Sequence, residues 1–408
     1  MDAFDSIHPL PASWLRAGTL APFVQTYWRR LIEQRYAPET ARAYLYCVAH
    51  FAHWARRQPL ALSALDHHVE WFVDRHLPRC RCPKPVQRSR HQIRAALQHL
   101  KAVVAQAGIQ AEAHGTDPLE DQLCRFDQYL QQTKGLAGST RIRRRSIVRS
   151  LVSQATSFTP SAEELQRFMA QELSRVSPAG ACAVTTALRS YLRFRAFEGD
   201  RVEHLLPVIA SPAHWRLAPL PQTLSRDEVE RVLDAFPPEL PSRLRCYAIV
   251  RCVVDLGLRS SEVIELELDD VDWAAGTLRI AKGKSRRVDV LPLPQATGSA
   301  LADYIRSERP QTINRRIFVR HVAPVDEPVG ADVVRSAVRA AYRRCGLPYT
   351  RVHILRHTLA SRLLNTGGTL KEVADMLRHR ELDTSMIYAK VDIGRLAAVA
   401  MPWPGSAT

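Results

Sequence analysis

The stretch HILRHT at residues 353–358 decides the fold and points to the chemistry of this chain. It is predicted to begin a helix, so His353 and Arg356, three positions apart, lie on one helix face. A helix start also offers free N–H groups and the positive end of the helix dipole to an anion. The stretch therefore predicts an anion site that contains an imidazole and a guanidinium.

A second arginine stands in GLRSSE at residues 257–262. Gly257 predicts a helix stop, and Ser260 or Ser261 is suited to cap the next helix, so this arginine too is expected near a helix start. Planar guanidiniums bind both non-bridging oxygens of a phosphodiester, and in-line displacement increases the charge on those oxygens. Arg259 and Arg356 are thus the expected phosphate-binding pair.

His379 and Tyr388 complete the polar series near the end of the chain. A free phenol titrates near ~10, so Tyr388 needs positive surroundings and a proton acceptor to become a nucleophile at neutral pH. His353 or His379 can supply that acceptor. Two guanidiniums, two imidazoles and a phenol predict a chain that cuts and rejoins DNA without a metal.

Residues 276–290 are predicted to form a β-hairpin, with strand-forming residues on both sides of a turn at Gly283. Lys282 and Lys284 flank that glycine at the tip. An ammonium there can protonate the leaving 5′ oxygen, and lysine suits this step because its pKa shifts readily. Both lysines are candidates, and Lys284 and Arg286 are also candidate contacts to the DNA backbone.

Five motifs in order, GLRSSE, KGK, HILRHT, LRHR and IYAKV, closely resemble the tyrosine recombinases, the group of phage integrases and Xer-type resolvases. The resemblance covers roughly residues 222–400. It implies no metal and no other cofactor. It implies a role for each matching residue: phosphate clamps at Arg259 and Arg356, the general acid at Lys282, proton transfer at His353, a phosphate hydrogen bond at His379, and a 3′-phosphotyrosyl nucleophile at Tyr388.

Three further residues beside the motifs qualify this assignment. Glu262 matches a supporting acid near the first arginine. Arg378 stands where the family usually has glycine, which removes backbone freedom before His379 but offers another phosphate contact. His357 adjoins Arg356 and is either part of the site or a histidine of the core or helix surface, so it is left outside the predicted catalytic set.

The resemblance and the helical periodicity together predict a mainly α-helical protein with a small β-hairpin in its catalytic domain. The expected domains are an N-terminal helical domain at 1–115, a core-binding helical domain at 116–205, a proline-rich linker at 206–222 and a catalytic domain at 223–408. The two domains joined by the linker would close on duplex DNA as a clamp. Region 1–115 is either a diverged duplicate of the core-binding domain or an extra DNA-binding arm.

Arginines of the predicted core-binding domain form a second candidate DNA contact. Arg141, Arg145 and Arg149 share one helix face, and Arg144 flanks it. Such a helix can lie against phosphates or in a major groove. The alternative is a solvated basic face without a nucleic-acid role.

The composition agrees with a polyanionic partner, since the formal net charge is +16 over 408 residues. Charge alone does not choose between DNA, RNA and an anionic membrane. The chain start lacks the pattern of a leader, and the sequence contains no apolar stretch long enough to span a membrane. The expected location is the cytoplasm, at the nucleoid, with no membrane partner. Eight scattered cysteines favour free thiols over disulfides.

One group of residues offers metal-ligand chemistry outside the catalytic series: His76, Cys80, Cys82 and His91. The Cys-x-Cys step is tighter than usual zinc spacing, and Pro83 follows it at once. A proline-punctuated loop between helices is therefore favoured over a metal site.

The predicted partners are double-stranded DNA recombination sites. The resemblance implies two subunits on each site and four in a synapse. Partner recombinases are compatible with this arrangement. Residues 391–400 would form a helix that docks on a neighbouring subunit. The predicted function is site-specific recombination for a mobile element. The alternatives are a type IB-like topoisomerase and a non-catalytic DNA-binding regulator, while a metal-dependent nuclease would need clustered carboxylates.

Overall fold

The computed structural model describes residues 3–57, 60–109, 118–211, 220–281, 288–379 and 385–389. Contacts between Cα atoms group the chain into two compact units, one made of Met1–Gly108 with Leu217–Thr408 and one of Ile109–Arg216. The domain boundary predicted at 115 lies outside the described residues, and the four predicted domains remain a prediction. Within the described part of the chain, no helix is both long and apolar enough to cross a membrane.

The N-terminal part of the first unit is helical. The helices are α1 (Pro9–Arg16), α2 (Ala21–Glu33), α3 (Pro38–Ala55), α4 (Leu65–Trp71) and α5 (Arg90–Gln106). Proline in the first turn of α1, α2 and α3 starts each helix with a preset backbone angle. An irregular stretch that contains Pro83 and Pro85 precedes α5, as predicted.

The second unit packs four helices: α6 (Pro118–Gln132), α7 (Gly138–Val152), α8 (Ala162–Leu173) and α9 (Pro178–Phe197). Ser161 and Glu164 form a capping box at the start of α8. Phe126 of α6 meets Tyr191 of α9 edge to face, with ring centroids 5.4 Å apart, at the centre of this unit's core. Aromatic packing therefore joins α6 and α9 within this unit.

The remainder of the first unit, which contains the described residues of the predicted active site, has helices and three short strands. They are α10 (Arg226–Asp234), α11 (Arg243–Leu256), α12 (Ser260–Glu265), β1 (Val271–Asp272), β2 (Thr277–Ile280), β3 (Asp289–Pro292), α13 (Gln295–Ser307), α14 (Ala331–Arg344), α15 (His353–Asn365), α16 (Leu370–Met376) and α17 (Met386–Ala389). The strands form an antiparallel sheet in the order β1-β2-β3. This mainly helical architecture with a small sheet confirms the predicted fold class.

The predicted hairpin is present as β2 and β3, with Leu278 paired to Leu291 on the buried face. Val290 lies on the opposite face and is exposed, as the two-residue period of a strand requires. The hairpin tip at 282–287 lies outside the described residues.

Gly257 ends α11 in the left-handed region, at φ 57°. A Cβ atom there would lie 2.9 Å from a Leu377 methyl and 3.0 Å from a Leu359 methyl. Glycine is therefore required by both the backbone angle and the packing, which confirms the predicted helix stop. The predicted serine cap is wrong, since Arg259 is the N-cap of α12 and the serines occupy its first turn.

Candidate active site

Arg259 and Glu262 form the start of α12. The Glu262 carboxylate accepts a hydrogen bond from the Arg259 backbone N–H at 2.9 Å and another from its guanidinium at 2.5 Å. A buried glutamate at N3 thus satisfies a free N–H of the helix start and orients the arginine side chain. The Arg259 side chain remains 23% exposed, which leaves it accessible to a bound anion.

Arg378 supplies the second cation on Glu262, at 2.7 Å, and both side chains of this ion pair are buried. Burial raises the pKa of Glu262, but the charge of Arg378 and the backbone hydrogen bond from Arg259 outweigh it, so the pKa is lowered. The Arg378 backbone has φ 53°, the left-handed conformation that suits the family's glycine. Its guanidinium also bonds the Met376 carbonyl and points inward.

Arg356 is buried on the first turn of α15, where the three-residue spacing from His353 places it as predicted. Its guanidinium donates to the carbonyl oxygens of Gly257 and Leu377. Burial, then the charges of Arg259 and Arg378, lower the pKa of Arg356 to about 9. The guanidinium therefore still carries its charge at neutral pH. These contacts fix the second guanidinium beside the end of α11.

A cleft of about 370 Å³ opens beside Arg259 and His353. Its lining includes three further cationic residues from α14 and the loop before α15, namely Arg335, Arg339 and Arg351. The sequence did not reveal these three, because Arg335 and Arg339 have the spacing of any solvated helix face and Arg351 stands in a loop outside every motif. The cleft that leads to Arg259 and His353 is therefore lined by several positive charges.

Tyr388 is 2% exposed, and its hydroxyl lies 2.8 Å from Nδ1 of His357. Burial raises the pKa of Tyr388 to about 12, although the charges of Arg356 and Arg259 oppose the rise. The positive charges of both arginines therefore favour the ionised form of the Tyr388 phenol. His357, left outside the predicted catalytic set, is thus the residue that contacts the predicted nucleophile.

His379 lies beside the same tyrosine. Its ring is parallel to the Tyr388 ring, with centroids 6.4 Å apart, and its Nδ1 is 2.7 Å from the Ser385 hydroxyl. Ser385 is fully buried, so this contact fixes the orientation of the imidazole. A side-chain hydrogen bond therefore joins two residues that lie six positions apart in the sequence.

The three histidines of the site have lowered pKa values. Burial first, then the charges around each ring, lower the pKa of His357 and of His379 to about 4. His353 is exposed as a residue, yet partial burial of its ring, then Arg356 and Arg259, lower its pKa too. All three imidazoles are consequently neutral at pH 7 and able to accept a proton.

The structure therefore brings five predicted residues to one region: Arg259, His353, Arg356, His379 and Tyr388. The predicted general acid Lys282, its rival Lys284, and Arg286 lie outside the described residues, as does the segment 391–400. The roles assigned to all of these residues remain predictions.

The arginines predicted to contact DNA on α7 are engaged within their own unit. Arg145 and Arg149 both bond Glu120, and Arg141 lies 3.5 Å from Asp127. Arg144 donates to the Ser190 hydroxyl at 2.7 Å. Their role on DNA stays a prediction, and it requires that a phosphate replace these partners.

Comparisons with known proteins identify the family. The profile of the phage integrase family matches residues 222–395. A relative from Sinorhizobium fredii that carries the name integrase/recombinase y4rA is 34% identical over 404 residues, which cover 96% of each chain. The tyrosine recombinase XerA of Thermococcus kodakarensis is 30% identical over 213 residues, which cover 52% of this chain and 71% of XerA.

Solved structures show the same fold. The XerH site-specific recombinase, in its post-cleavage complex with a difH substrate, aligns at a TM-score of 0.55 and 18% identity, covering 84% of this chain and 96% of its own. A λ integrase dimer bound to a core site aligns at 0.52 and 18% identity, covering 68% and 96%. At these identities the likeness concerns the fold alone.

The fold and the grouping of arginines and histidines around a buried tyrosine define the class of this protein. It is a tyrosine recombinase, an enzyme that breaks and rejoins DNA strands. This chain belongs to the phage integrase family of such enzymes. The family and the enzyme class predicted from the sequence are confirmed.

Proposed function

We propose that this chain exchanges strands between specific double-stranded DNA sites through a 3′-phosphotyrosyl bond on Tyr388. The observation that carries the proposal is the position of the Tyr388 phenol, which lies within the field of both arginines and 2.8 Å from a neutral imidazole. A nucleophile, a proton acceptor and two anion-binding groups are the requirements for attack on a phosphodiester.

The cleavage step follows from these positions. The Tyr388 oxygen attacks phosphorus, the bond from phosphorus to the 5′ oxygen breaks, and the phenolic proton passes to His357. Lys282 is proposed to protonate the leaving 5′ oxygen, and Arg259 and Arg356 bind the non-bridging oxygens. A 5′ hydroxyl from the partner duplex then attacks the phosphotyrosine and gives its proton to Lys282, and His357 returns its proton to the departing Tyr388 oxygen. The bond energy is retained throughout, so ATP is not required.

His353 and His379 flank the reacting phosphate in this scheme. Each imidazole is neutral before DNA binds, and the negative charge of a bound phosphodiester would raise its pKa. His379, held by Ser385, would then donate a hydrogen bond to a non-bridging oxygen, while His353 would assist proton transfer.

The basic cleft supports duplex DNA as the substrate. Arg335, Arg339 and Arg351 line it together with Arg259 and His353, so a phosphate backbone in the cleft would lead to the catalytic residues. We propose that two subunits occupy each site and that four form the synapse. The name integrase/recombinase carried by the Sinorhizobium fredii relative supports work on a mobile element.

Covalent capture tests this function and finds the unknown site. Wild-type protein is incubated with sheared genomic DNA of the source strain, washed under denaturing conditions, and the retained fragments are sequenced. A nicked suicide substrate built from the recovered sequence should then attach to the wild type and not to Tyr388→Phe.

Tyr349→Phe is the matched control, since Tyr349 is a half-buried tyrosine of the same unit outside the site, and it should attach as well as the wild type. Binding of the nicked DNA by Tyr388→Phe shows that its fold is intact. Attachment that survives in Tyr388→Phe rejects the assigned nucleophile. Relaxation of any supercoiled plasmid regardless of sequence would favour a topoisomerase, and DNA binding without any covalent product would favour a non-catalytic regulator.

A further inference from the structure

Four metal-binding side chains converge in the N-terminal helical region, away from the catalytic residues in sequence. His50 comes from α3, His76 ends a π-helical turn at Phe72–His76, and Cys80 and Cys82 follow on the irregular stretch before α5. One ligand atom from each lies within 4.8 Å of all the others. π-Turns inside helices are frequent at functional sites.

Two of the distances between these atoms are close to those around a tetrahedral metal. Bonds of roughly 2.0–2.1 Å to nitrogen and 2.3 Å to sulfur separate the ligand atoms of tetrahedral zinc by roughly 3.3–3.8 Å. The His50 Nε2 atom lies 3.2 Å from the Cys80 sulfur, and the His76 Nε2 atom lies 3.5 Å from the Cys82 sulfur. The alternative to a metal is two separate hydrogen bonds, each between a thiol and an imidazole. They would explain the two short distances, but they would not require all four atoms to lie together.

The surroundings orient the ligands. The Nδ1 atom of His50 is 2.7 Å from the Gln87 carbonyl oxygen, and a carbonyl only accepts, so Nδ1 donates. The Nε2 lone pair is then directed toward the thiols, the arrangement that second-shell contacts give to zinc-bound histidines. Phe72 shields the cluster, with its ring stacked on His76 at 5.1 Å and edge to face with His50 at 5.0 Å.

We propose that His50, His76, Cys80 and Cys82 bind one Zn²⁺ ion as a closed structural site. Binding releases the two thiol protons, and two thiolates then balance the charge of the ion. Four protein ligands leave no open position for a water or substrate, so the site stabilises structure and does not catalyse. The proposal is independent of the proposed function, because none of the four ligands takes part in the proposed strand exchange.

The site would fasten a loop to the helical core. His50 lies in the middle of α3 and is fully buried, whereas the loop from residue 77 to residue 89 carries the exposed cations Arg79, Arg81, Lys84 and Arg88. With few hydrophobic anchors in this loop, a metal bond at Cys80 and Cys82 is a direct way to fix its position.

The sequence alone suggested His91 as the fourth ligand and favoured a loop without metal. His91 is exposed in the first turn of α5, and His50 occupies the position beside the cysteines. This difference supplies a matched control: His50→Gln should remove the metal, and His91→Gln should not.

Metal analysis of the full-length protein tests the proposal. Protein expressed with added zinc, then freed of loosely bound metal by gel filtration, should contain about one zinc per chain by mass spectrometry. The variants Cys80→Ser, Cys82→Ser and His50→Gln should each lose most of this zinc. Cys124→Ser, which changes an exposed free cysteine of the other unit, should retain it.

Cobalt substitution of the wild type gives a readout that does not depend on the folding of variants. A Co²⁺-loaded chain should show the visible absorption of a tetrahedral ion and the near-ultraviolet band of sulfur-to-cobalt charge transfer. The proposal is overturned by a zinc-free protein that gives no such bands, by a Cys80–Cys82 disulfide in place of metal, or by equal zinc loss in His91→Gln and His50→Gln. Another metal bound in place of zinc overturns the assignment of the ion.

Discussion

Tyr388 and His357 are joined by a 2.8 Å contact between the phenolic oxygen and Nδ1. His357 directly follows Arg356 on α15, so one helix turn carries both a proposed phosphate-binding group and the proposed proton acceptor. The phenol proposed as the nucleophile is therefore held by the same helix that is proposed to bind the phosphate.

Replacing His357 with alanine should slow formation of the phosphotyrosyl bond by about 10²-fold or more, because a positioned base contributes on that scale. Single-turnover cleavage of the nicked substrate measures the rate. The exposed histidine His204 provides the control, since His204→Ala leaves the site unchanged. An unchanged cleavage rate in His357→Ala would assign the contact to packing alone.

The two arginines should respond differently to lysine. Both Arg259→Lys and Arg356→Lys should slow cleavage by about 10²–10³-fold, because lysine cannot reproduce bidentate contacts to a phosphate. Only Arg356→Lys should also destabilise the fold strongly, since its guanidinium holds the carbonyls of Gly257 and Leu377. Urea unfolding beside the cleavage assay separates the two effects, and equal stability of the variants would contradict the distinction.

Glu262→Gln should lower the free energy of unfolding by about 3–5 kcal/mol, because it leaves the buried Arg378 charge unpaired. Glu230→Gln is the control, since it breaks a solvent-exposed pair with Arg226, a type worth about 0–1 kcal/mol. Denaturant titration at neutral pH compares them.

The same pair predicts a pH dependence. The folded pKa of Glu262 is lowered below its unfolded value, so its contribution is complete above the unfolded pKa and is lost as the pH falls through the folded pKa. The stability difference between wild type and Glu262→Gln should be constant near neutral pH and shrink below about pH 4. A difference that persists in acid would rule out an ionised Glu262.

Gly257→Ala should destabilise the protein by more than Gly276→Ala. Both glycines have a positive φ, 57° and 63°, but a Cβ atom meets methyl groups only at Gly257. Backbone strain should cost about 1–2 kcal/mol in each, and crowding should add about 1–3 kcal/mol at Gly257. Equal losses in thermal or denaturant unfolding would show that Leu359 and Leu377 move aside freely.

Phosphate contact by α7 predicts opposite effects of two substitutions. Arg149→Ala should weaken DNA binding and reduce the salt dependence of affinity by about one unit of slope, whereas Glu120→Gln should strengthen binding by releasing Arg145 and Arg149. Arg125→Ala, which breaks a pair with Glu198 in the same unit, is the control. If neither substitution changes DNA affinity, the face is a structural ion-pair cluster.

Local patterns in the sequence predicted the elements of this site well. Gly257 as a helix stop and the pair of His353 and Arg356 at a helix start depend on backbone geometry over a few residues. Contacts across long stretches could not be predicted in this way. The pair of Glu262 with Arg378 spans 116 positions, and no helical or strand period connects them.

The same limit explains why the sequence did not indicate His50 as a metal ligand. Metal-ligand patterns are recognised by short spacing, so His91, which is near the cysteines in sequence, was predicted as a candidate ligand and His50 on α3 was not. His357 was left outside the predicted catalytic set for a different reason. Its neighbours in the sequence identified the motif, but only the fold shows which side chain contacts the Tyr388 phenol.

The buried ion pair between Glu262 and Arg378 couples the effects of substitutions at these two positions. An exchange of Arg378 for glycine would relieve the left-handed backbone but remove the buried partner of Glu262, and the loss outweighs the relief. The cost of changing residue 378 therefore depends on which residue stands at 262, so the two changes should not be additive in the free energy of unfolding.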